Sequence, residues 1–469
     1  MDAREIRRLG PRLRGYLGLF ADCFARKDTR EHLTTYVRGQ LSELPRKSVE
    51  PIALHAGVPP RTLQNFLSLL SWEHERMRQR VAEIVVADHA HPCAVGIIDE
   101  TSDDKNGDRT PGVQRQWCGS LGKEENCIVT VHLAYATPEF HCLLDGDLYL
   151  PQSWDQDRQR CREADIPEDV GYRPKWKIAL ELLDRAVASG ATFRWLTFDE
   201  GYGGKPEFLR ELRSRGQRYV AEVPVSFTGW VTPPEVTDRP FRKSGRGRGR
   251  QTPRIKSGSP PARSVAHHLR YSPAFDPQPW VRYRVKDGEK GPIVWEVKHV
   301  TFYPKDAHGL PGEPLRWIVA RNPLDGELKY FLTDDLEATI ETLLLVAFSR
   351  WKVERCFEDQ KGEIGLEHYE GRTWVGLIRH LILSSVSYLF LAKVHQQQRE
   401  KKPGADGLPG AHGGLRPGEV LVAGAAALVE TPRGHSPAPA VPTNGQRQGP
   451  PLAPQTHAAH LSSTGNPTL

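Results

Sequence analysis

Apolar positions along the chain change rhythm several times, and each change marks a different structural unit. Over the first stretch Ile6, Leu9, Leu13, Leu17, Phe20 and Phe24 recur every three or four residues, the spacing of a single helical stripe. Residues 48–56 and the segment opening at Pro59-Pro60-Arg61 flank Gly57. Gly57 is suited to end one short helix and the prolines to begin the next. Two short helices joined by a tight turn have the shape of a helix-turn-helix DNA reader, with Arg61 at the start of the second. A plain helical bundle packing on the next domain is the alternative.

From residue 94 the pattern becomes one of short runs. Residues 94–98 form an apolar run that stops at Asp99, and residues 114–121, 127–136 and 140–150 predict further strands. Residues 174–188 return to helical spacing through Trp176, Ala179, Leu180, Leu183, Ala186 and Val187. Residues 193–198 predict a strand that stops at Asp199, followed by a helix over 205–215 and a strand over 218–225. This order predicts an α/β fold, a mixed sheet with flanking helices. The scheme breaks at residues 226–332. Short strand-like runs at 280–285, 293–300, 315–319 and 328–332, with turns at Gly288 and Gly326, predict a β-rich insertion. Helical spacing resumes over 336–361 and 374–395.

Composition adds three things. The net charge of the 469 residues is only +6, so basicity matters through its distribution. Arg239, Arg242, Lys243, Arg246, Arg248, Arg250, Arg254 and Lys256 lie in one Pro/Gly-containing stretch without an acid. Such a stretch cannot build a core and predicts a mobile basic loop that grips DNA. Residues 396–469 contain no Phe, Trp or Tyr and are rich in Pro and Gly, which predicts a disordered tail. The seven cysteines form no CxxC pair, which points away from a zinc site and fits a reducing cytoplasm. The charged N-terminus does not look like a signal peptide, and the most apolar run, 377–392, is interrupted by Arg379, His380 and serines, so no membrane span is expected.

Three acids stand out as candidate chemistry: Asp99 and Asp199 at strand ends, and Glu354 within a helix. Taken singly each has an ordinary explanation as a turn, cap or solvated residue. As a set they offer the oxygen ligands that magnesium prefers. Arg350, Glu354 and Lys361 are spaced by four and seven residues, which on an ideal helix puts them within roughly 40° of one another. A carboxylate between two cations can hold a metal while the cations hold neighbouring phosphates. The plain alternative is an ion pair between Arg350 and Glu354.

The ordered blocks Ile97-Ile-Asp-Glu-Thr-Ser102, Arg115-Gln-Trp-Cys-Gly-Ser-Leu-Gly-Lys123, Leu148-Tyr-Leu-Pro151, Thr197-Phe-Asp-Glu-Gly-Tyr-Gly203, Arg350-Trp-Lys-Val-Glu-Arg-Cys-Phe-Glu-Asp-Gln-Lys361 and His368-Tyr-Glu-Gly-Arg372 resemble those of the DDE transposases of bacterial insertion sequences. The resemblance implies a ribonuclease-H-like fold interrupted by a β-rich insertion and preceded by a helical domain. The implied division is a helical DNA-binding domain (1–88), the first part of the catalytic domain (89–225), the basic loop and insertion (226–332), the catalytic and final helices (333–395) and the tail (396–469). It implies cleavage of the element's ends and joining of the 3′-hydroxyl to target DNA, with Asp99, Asp199 and Glu354 holding two Mg²⁺ ions, for which Mn²⁺ can substitute. Arg350 and Lys361 match the Arg and Lys of a Tyr-Arg-Glu-Lys signature, whose Tyr position holds Ala347 here. Implied partners are the terminal inverted repeats, target DNA and a second copy in the DNA complex, in the bacterial cytoplasm at the nucleoid. A chain that binds DNA without cutting it is the alternative. Asp103, Asp104 and Glu358 are the rival acids.

Overall fold

A computed structural model describes residues 3–238, 252–288 and 291–401. Arg246, Arg248 and Arg250 of the expected basic loop, and nearly all of the expected tail, lie outside the described residues.

The chain opens with five helices: α1 (Ala3–Gly18), α2 (Lys27–Gln40), α3 (Val49–His55), α4 (Pro60–Ser68) and α5 (His74–His89). The stripe of α1 buries Leu9, Leu13 and Leu17, so helical spacing becomes packing. Gly57 adopts φ +69° just after α3, a left-handed value that glycine takes without steric cost. Pro60 begins α4, where a missing N–H costs nothing. Leu63, Phe66 and Leu67 of α4 are buried, whereas Arg61 and Gln64 face outward.

The sheet follows. Its first half is β1 (Val95–Asp104), β2 (Gln114–Cys118), β3 (Lys123–Ala136) and β4 (His141–Leu148). Helices α6 (Gln152–Asp155), α7 (Arg158–Glu163) and α8 (Lys175–Ala188) lead to β5 (Trp195–Phe198). Then come α9 (Glu200–Gly203), α10 (Pro206–Ser214) and β6 (Tyr219–Glu222). β1 is antiparallel to β3 and parallel to β5, and β5 is parallel to β6. β3 also pairs with β2 over Lys123–Cys127 and with β4 over Thr130–Ala136.

The insertion contributes four short strands, β7 (Thr228–Trp230), β8 (Val236–Thr237), β9 (Arg254–Ile255) and β10 (Arg263–Ser264). After helix α11 (Val265–Tyr271) come the longer β11 (Val281–Gly288), β12 (Gly291–Pro304), β13 (Leu315–Arg321) and β14 (Leu328–Thr333). These longer strands do not form a separate module. β14 pairs antiparallel with β6, β13 with β14 and β12 with β13, so the insertion continues the main sheet beyond β6. Register explains the join: Val220, Ala221 and Glu222 of β6 offer a second edge to Thr333, Leu332 and Phe331.

Three corrections to the sequence expectations bear on the site. β1 does not stop at Asp99. It runs on to Asp104 because β3 pairs with it all the way to Asp104↔Cys127, while β5 pairs only with Val95–Ile97. The predicted continuous helix over 336–361 is divided into α12 (Ile340–Ala347), a 3₁₀ turn (Phe348–Arg350), α13 (Trp351–Asp359) and a π turn (Gln360–Ile364). The final helix, α14 (Trp374–Lys401), contains a stretch, Trp374–Gln398, that is long and apolar enough to cross a membrane. That apolar surface is buried against the protein, so α14 is a core helix that the interruptions at Arg379 and His380 serve rather than spoil.

Those two polar residues tie the halves of the fold together. Arg379 reaches the end of α4 and donates to the carbonyls of Leu67 at 3.0 Å and Leu70 at 2.9 Å, groups that a helix end leaves without intrahelical partners. Its guanidinium also lies over the Trp72 ring. His380 sits between the Tyr36 hydroxyl at 2.8 Å and the Leu366 carbonyl at 2.9 Å. The segment after α13 is therefore fastened to the helical bundle through α14.

Candidate active site

Strand register brings distant acids level. Ile97 of β1 lies opposite Thr197 of β5 in parallel pairing, so two residues further on Asp99 and Asp199 stand at the same height. Phe198 lies opposite Ala221 of β6, so Glu222 comes level with Asp199 one residue later. Three neighbouring strands thus present Asp99, Asp199 and Glu222 where β5 and β6 end, the position at which open α/β sheets gather functional side chains.

Asp99 is 14% exposed. Its Oδ1 accepts from the Glu100 N–H at 2.8 Å, and its Oδ2 lies 3.9 Å from the Arg350 guanidinium. Burial pushes its carboxyl up to about 7; Arg350 and the Glu100 N–H oppose the rise, and the charges of Asp199 and Glu100 add to it. Asp199 caps α9: its Oδ1 accepts from the N–H groups of Gly201 at 3.0 Å and Tyr202 at 3.3 Å. Its Oδ2 has no hydrogen-bond partner among the described residues. The Asp-Glu-Gly-Tyr-Gly block has a steric basis as well. A Cβ on Gly203 would stand 1.9 Å from the Glu222 carbonyl oxygen, so only glycine lets α9 pass the end of β6.

Glu354 lies on the exposed side of α13 and lines a cleft of about 510 Å³ together with Asp99, Glu100, Ser102, Trp117 and Lys361. The ion pair between Arg350 and Glu354 does not form. Arg350 instead donates to Glu222 at 2.6 Å and approaches Asp99, and Glu354 has no hydrogen-bond or ion-pair partner among the described residues. Lys361 donates to the Ser102 carbonyl at 2.8 Å and lies 3.4 Å from the Glu367 carboxylate. The shared helical face derived from ideal spacing does not apply, because Arg350 sits in the 3₁₀ turn and Lys361 in the π turn. The irregular turns place the two cations at opposite ends of α13, one toward β6 and one toward β1.

Of the rival acids, Asp103 is ion-paired to Lys105, Asp104 is exposed, and Glu358 pairs with Arg355 at 3.2 Å and lines the same cleft as Glu354. Ala347 is buried on α12. Arg61 lies on α4 and is not among the residues lining the cleft. Two acids escaped the sequence reading. Glu222 fixes Arg350 and also binds Lys329 at 2.9 Å. Glu100 binds Lys175 at 2.6 Å and accepts from the Tyr202 hydroxyl at 3.5 Å. Glu222 lies inside the strand predicted over 218–225 and only the observed β6 ends on it, so the sequence spacing did not single it out.

The DDE superfamily endonuclease family matches residues 19–292, more than half of the chain. The chain belongs to that family. A curated relative, the "Probable transposase for insertion sequence element IS701" of Microchaete diplosiphon, is 31% identical over 190 residues. That match covers 39% of this chain and 46% of the relative, so the chain spans less than half the length of the curated relative it matches. The DDE match contains Asp99 and Asp199 but ends before Glu354, whose assignment therefore rests on geometry and on the resemblance of its helix.

Among the described residues no three His, Cys, Asp or Glu side chains stand close enough together to ligate one metal. The donor chemistry nevertheless fits a hard divalent cation. Asp99 is buried beside a second carboxylate, a state that a cation relieves. Asp199 has an unengaged oxygen and Glu354 an unengaged carboxylate.

Proposed function

We infer that this DDE endonuclease is an insertion-sequence transposase that cuts the ends of its element and joins the freed 3′-hydroxyl to target DNA. The observation that carries the reading is the register that levels Asp99 with Asp199, together with Glu354 lining the cleft that holds Asp99. Two Mg²⁺ ions, or Mn²⁺ in their place, would supply Lewis acidity for displacement at phosphorus.

The chain's own residues do the rest. Asp99, Asp199 and Glu354 are the carboxylates that would hold the ions. Asp199 is oriented by α9, and Asp99 by the paired β1–β3 backbone. Arg350, steadied by Glu222, keeps a positive charge beside Asp99. Lys361, anchored on Ser102, has a donor left to meet a DNA phosphate near Glu354. The helices of residues 1–88 bind the inverted repeats, with the outward face of α4 at Arg61 and Gln64 as the reading surface. The basic loop with Arg246, Arg248 and Arg250 adds non-specific grip, and pairing of two ends brings in a second copy.

The test is incubation with labelled inverted-repeat DNA and Mg²⁺. Nicks that vanish in Asp99→Ala, Asp199→Ala and Glu354→Ala support the assignment. Binding of the repeats without nicking supports a DNA-binding remnant instead, the reading that Ala347 in the signature favours. A binding constant that is flat with salt removes the basic loop from the DNA contact.

A further inference from the structure

Resting on the two-ion reading of the cleft, we propose that Glu222 is a positioning residue that holds the Arg350 guanidinium away from Asp99, so that Asp99 stays open to a divalent cation. A guanidinium beside a buried carboxylate ordinarily closes onto it in a direct, charge-assisted contact of about 2.7–2.9 Å. Arg350 does not. Its Nη2 stands 3.9 Å from Asp99 Oδ2, while its Nη1 donates to Glu222 Oε2 at 2.6 Å. Its Nε–H has no hydrogen-bond partner among the described residues. One bond thus decides where the cation sits, and Glu222 is the acceptor of that bond.

The β-rich insertion builds this arrangement. Glu222 lies opposite Phe331 in the pairing of β6 with β14, and Lys329, two residues before Phe331, shares its face. Lys329 donates to Glu222 Oε1 at 2.9 Å. Both oxygens of Glu222 are therefore occupied, whereas Asp199 and Glu354 keep unengaged oxygens. Phe331 packs edge to face on Phe348, with ring centroids 5.6 Å apart, and Trp295 of β12 lies 4.7 Å from the same ring. Phe348 and Arg350 belong to one 3₁₀ turn. The insertion thus seats the turn through Phe348 and the arginine's partner through Lys329.

Without the Glu222 charge, Asp99 is the carboxylate that remains within reach of Arg350. Asp99 Oδ1 already accepts from the Glu100 N–H, so Oδ2 is the oxygen that the arginine and an incoming cation contest. An arginine in direct contact there competes with the ion for one lone pair and adds a positive charge beside it. The competing role for Glu222 is that of an ion ligand. To take it, Glu222 would have to release Arg350 or Lys329 and leave a partly desolvated cation without its contact, which is costly.

The experiment uses the full chain without DNA and Mn²⁺ alone as the probe, with free Mn²⁺ counted by electron paramagnetic resonance. The chains compared are the parent, Glu222→Gln, Arg350→Gln and the double variant. The expected result is that Glu222→Gln weakens Mn²⁺ binding about tenfold in the parent background and by less than about threefold in the Arg350→Gln background. Glu222→Asp keeps the charge and draws the guanidinium further from Asp99, so it should bind Mn²⁺ within about threefold of the parent. Circular dichroism identifies the folded variants. With DNA present, Glu222→Gln should need about tenfold more Mg²⁺ to reach half its full nicking rate. Unchanged Mn²⁺ affinity in Glu222→Gln overturns the assignment. So does an equal loss in both backgrounds, which would make Glu222 an ion ligand or a bare charge, and so does a loss in Glu222→Asp as large as that expected of Glu222→Gln. A parent chain that takes up no Mn²⁺, or takes it up equally well as Asp99→Asn, removes the two-ion reading and the role of Glu222 with it. Mn²⁺ binding that is lost in Asp99→Asn but untouched by Glu222→Gln removes the role of Glu222 alone.

Discussion

Two aspartates four residues apart in the polar half of β1 have nearly the same burial and different fates. Asp99 is 14% and Asp103 15% exposed, and the four-residue spacing puts both on one face of the strand. Burial pushes each carboxyl up to about 7. Asp103 is neutralised from within. Lys105 pairs with it directly and is itself fixed by the carbonyls of Tyr369 at 2.8 Å and Glu367 at 3.2 Å. Asp99 has its cation only at 3.9 Å, and that cation is committed to Glu222 at 2.6 Å. It also has Asp199 nearby, which pushes its carboxyl further up. Asp103 has an internal partner, whereas Asp99 is left short of charge beside another acid and is open to a cation from outside.

The largest test of that contrast is catalytic. Asp99→Asn, Asp199→Asn and Glu354→Gln should each lower nicking of inverted-repeat DNA by about a thousandfold or more, equivalent to roughly 4 kcal/mol of transition-state stabilisation. Asp103→Asn should keep nicking within about tenfold of the parent. Equal losses at positions 99 and 103 would erase the distinction. Removal of divalent metal with a chelator should abolish nicking, and added Mg²⁺ should restore it. The next effect is on stability. Asp103→Asn takes the carboxylate from Lys105, but burial already holds that carboxyl near 7 and two carbonyls still bind the ammonium, so melting at neutral pH should change by no more than a few degrees. A melting point unchanged by Asp103→Asn would show that the two carbonyls suffice for Lys105.

Sequence carried part of this picture. The two aspartates were legible because each follows an apolar run, and Glu354 because Arg350 and Lys361 bracket it. The extension of β1 past Asp99 was hidden, since Glu100 to Asp104 are polar and are held as strand by pairing with β3 rather than by burial on both sides. The breaks at Phe348–Arg350 and Gln360–Ile364 were hidden too. No proline marks either one, and tertiary contacts of Arg350 and Lys361 accompany them. The union of the insertion with the main sheet depends on an edge pairing between Glu222 and Phe331, more than a hundred positions apart, which periodicity does not report. Asp103 looked like a rival to Asp99 because its partner, Lys105, is set by the side chains' placement and not by the spacing of the acids.

The smallest and most discriminating effect is the pH dependence of stability in Asp99→Asn without metal. The folded carboxyl titrates near 7, above the 3.8 of an unperturbed aspartate. Between those values the folded chain holds a proton that the unfolded chain has lost. Linkage then makes Asp99's contribution fall as pH rises from about 4 toward 7 and stay at its least favourable above that. Asparagine keeps an acceptor for the Glu100 N–H and does not ionise. The variant should therefore match the parent near pH 4 and exceed it at pH 8 by a few degrees of melting, the attraction to Arg350 being already contained in the titration near 7. Mg²⁺ should raise the melting of the parent but not of the variant, because only the parent retains the ligand. Asp103 is pushed up to about 7 as well, so Asp103→Asn should show the same trend with pH, but its melting should still rise with Mg²⁺ because Asp99 is intact. An Asp99→Asn variant that Mg²⁺ still stabilises would make the two aspartates alike.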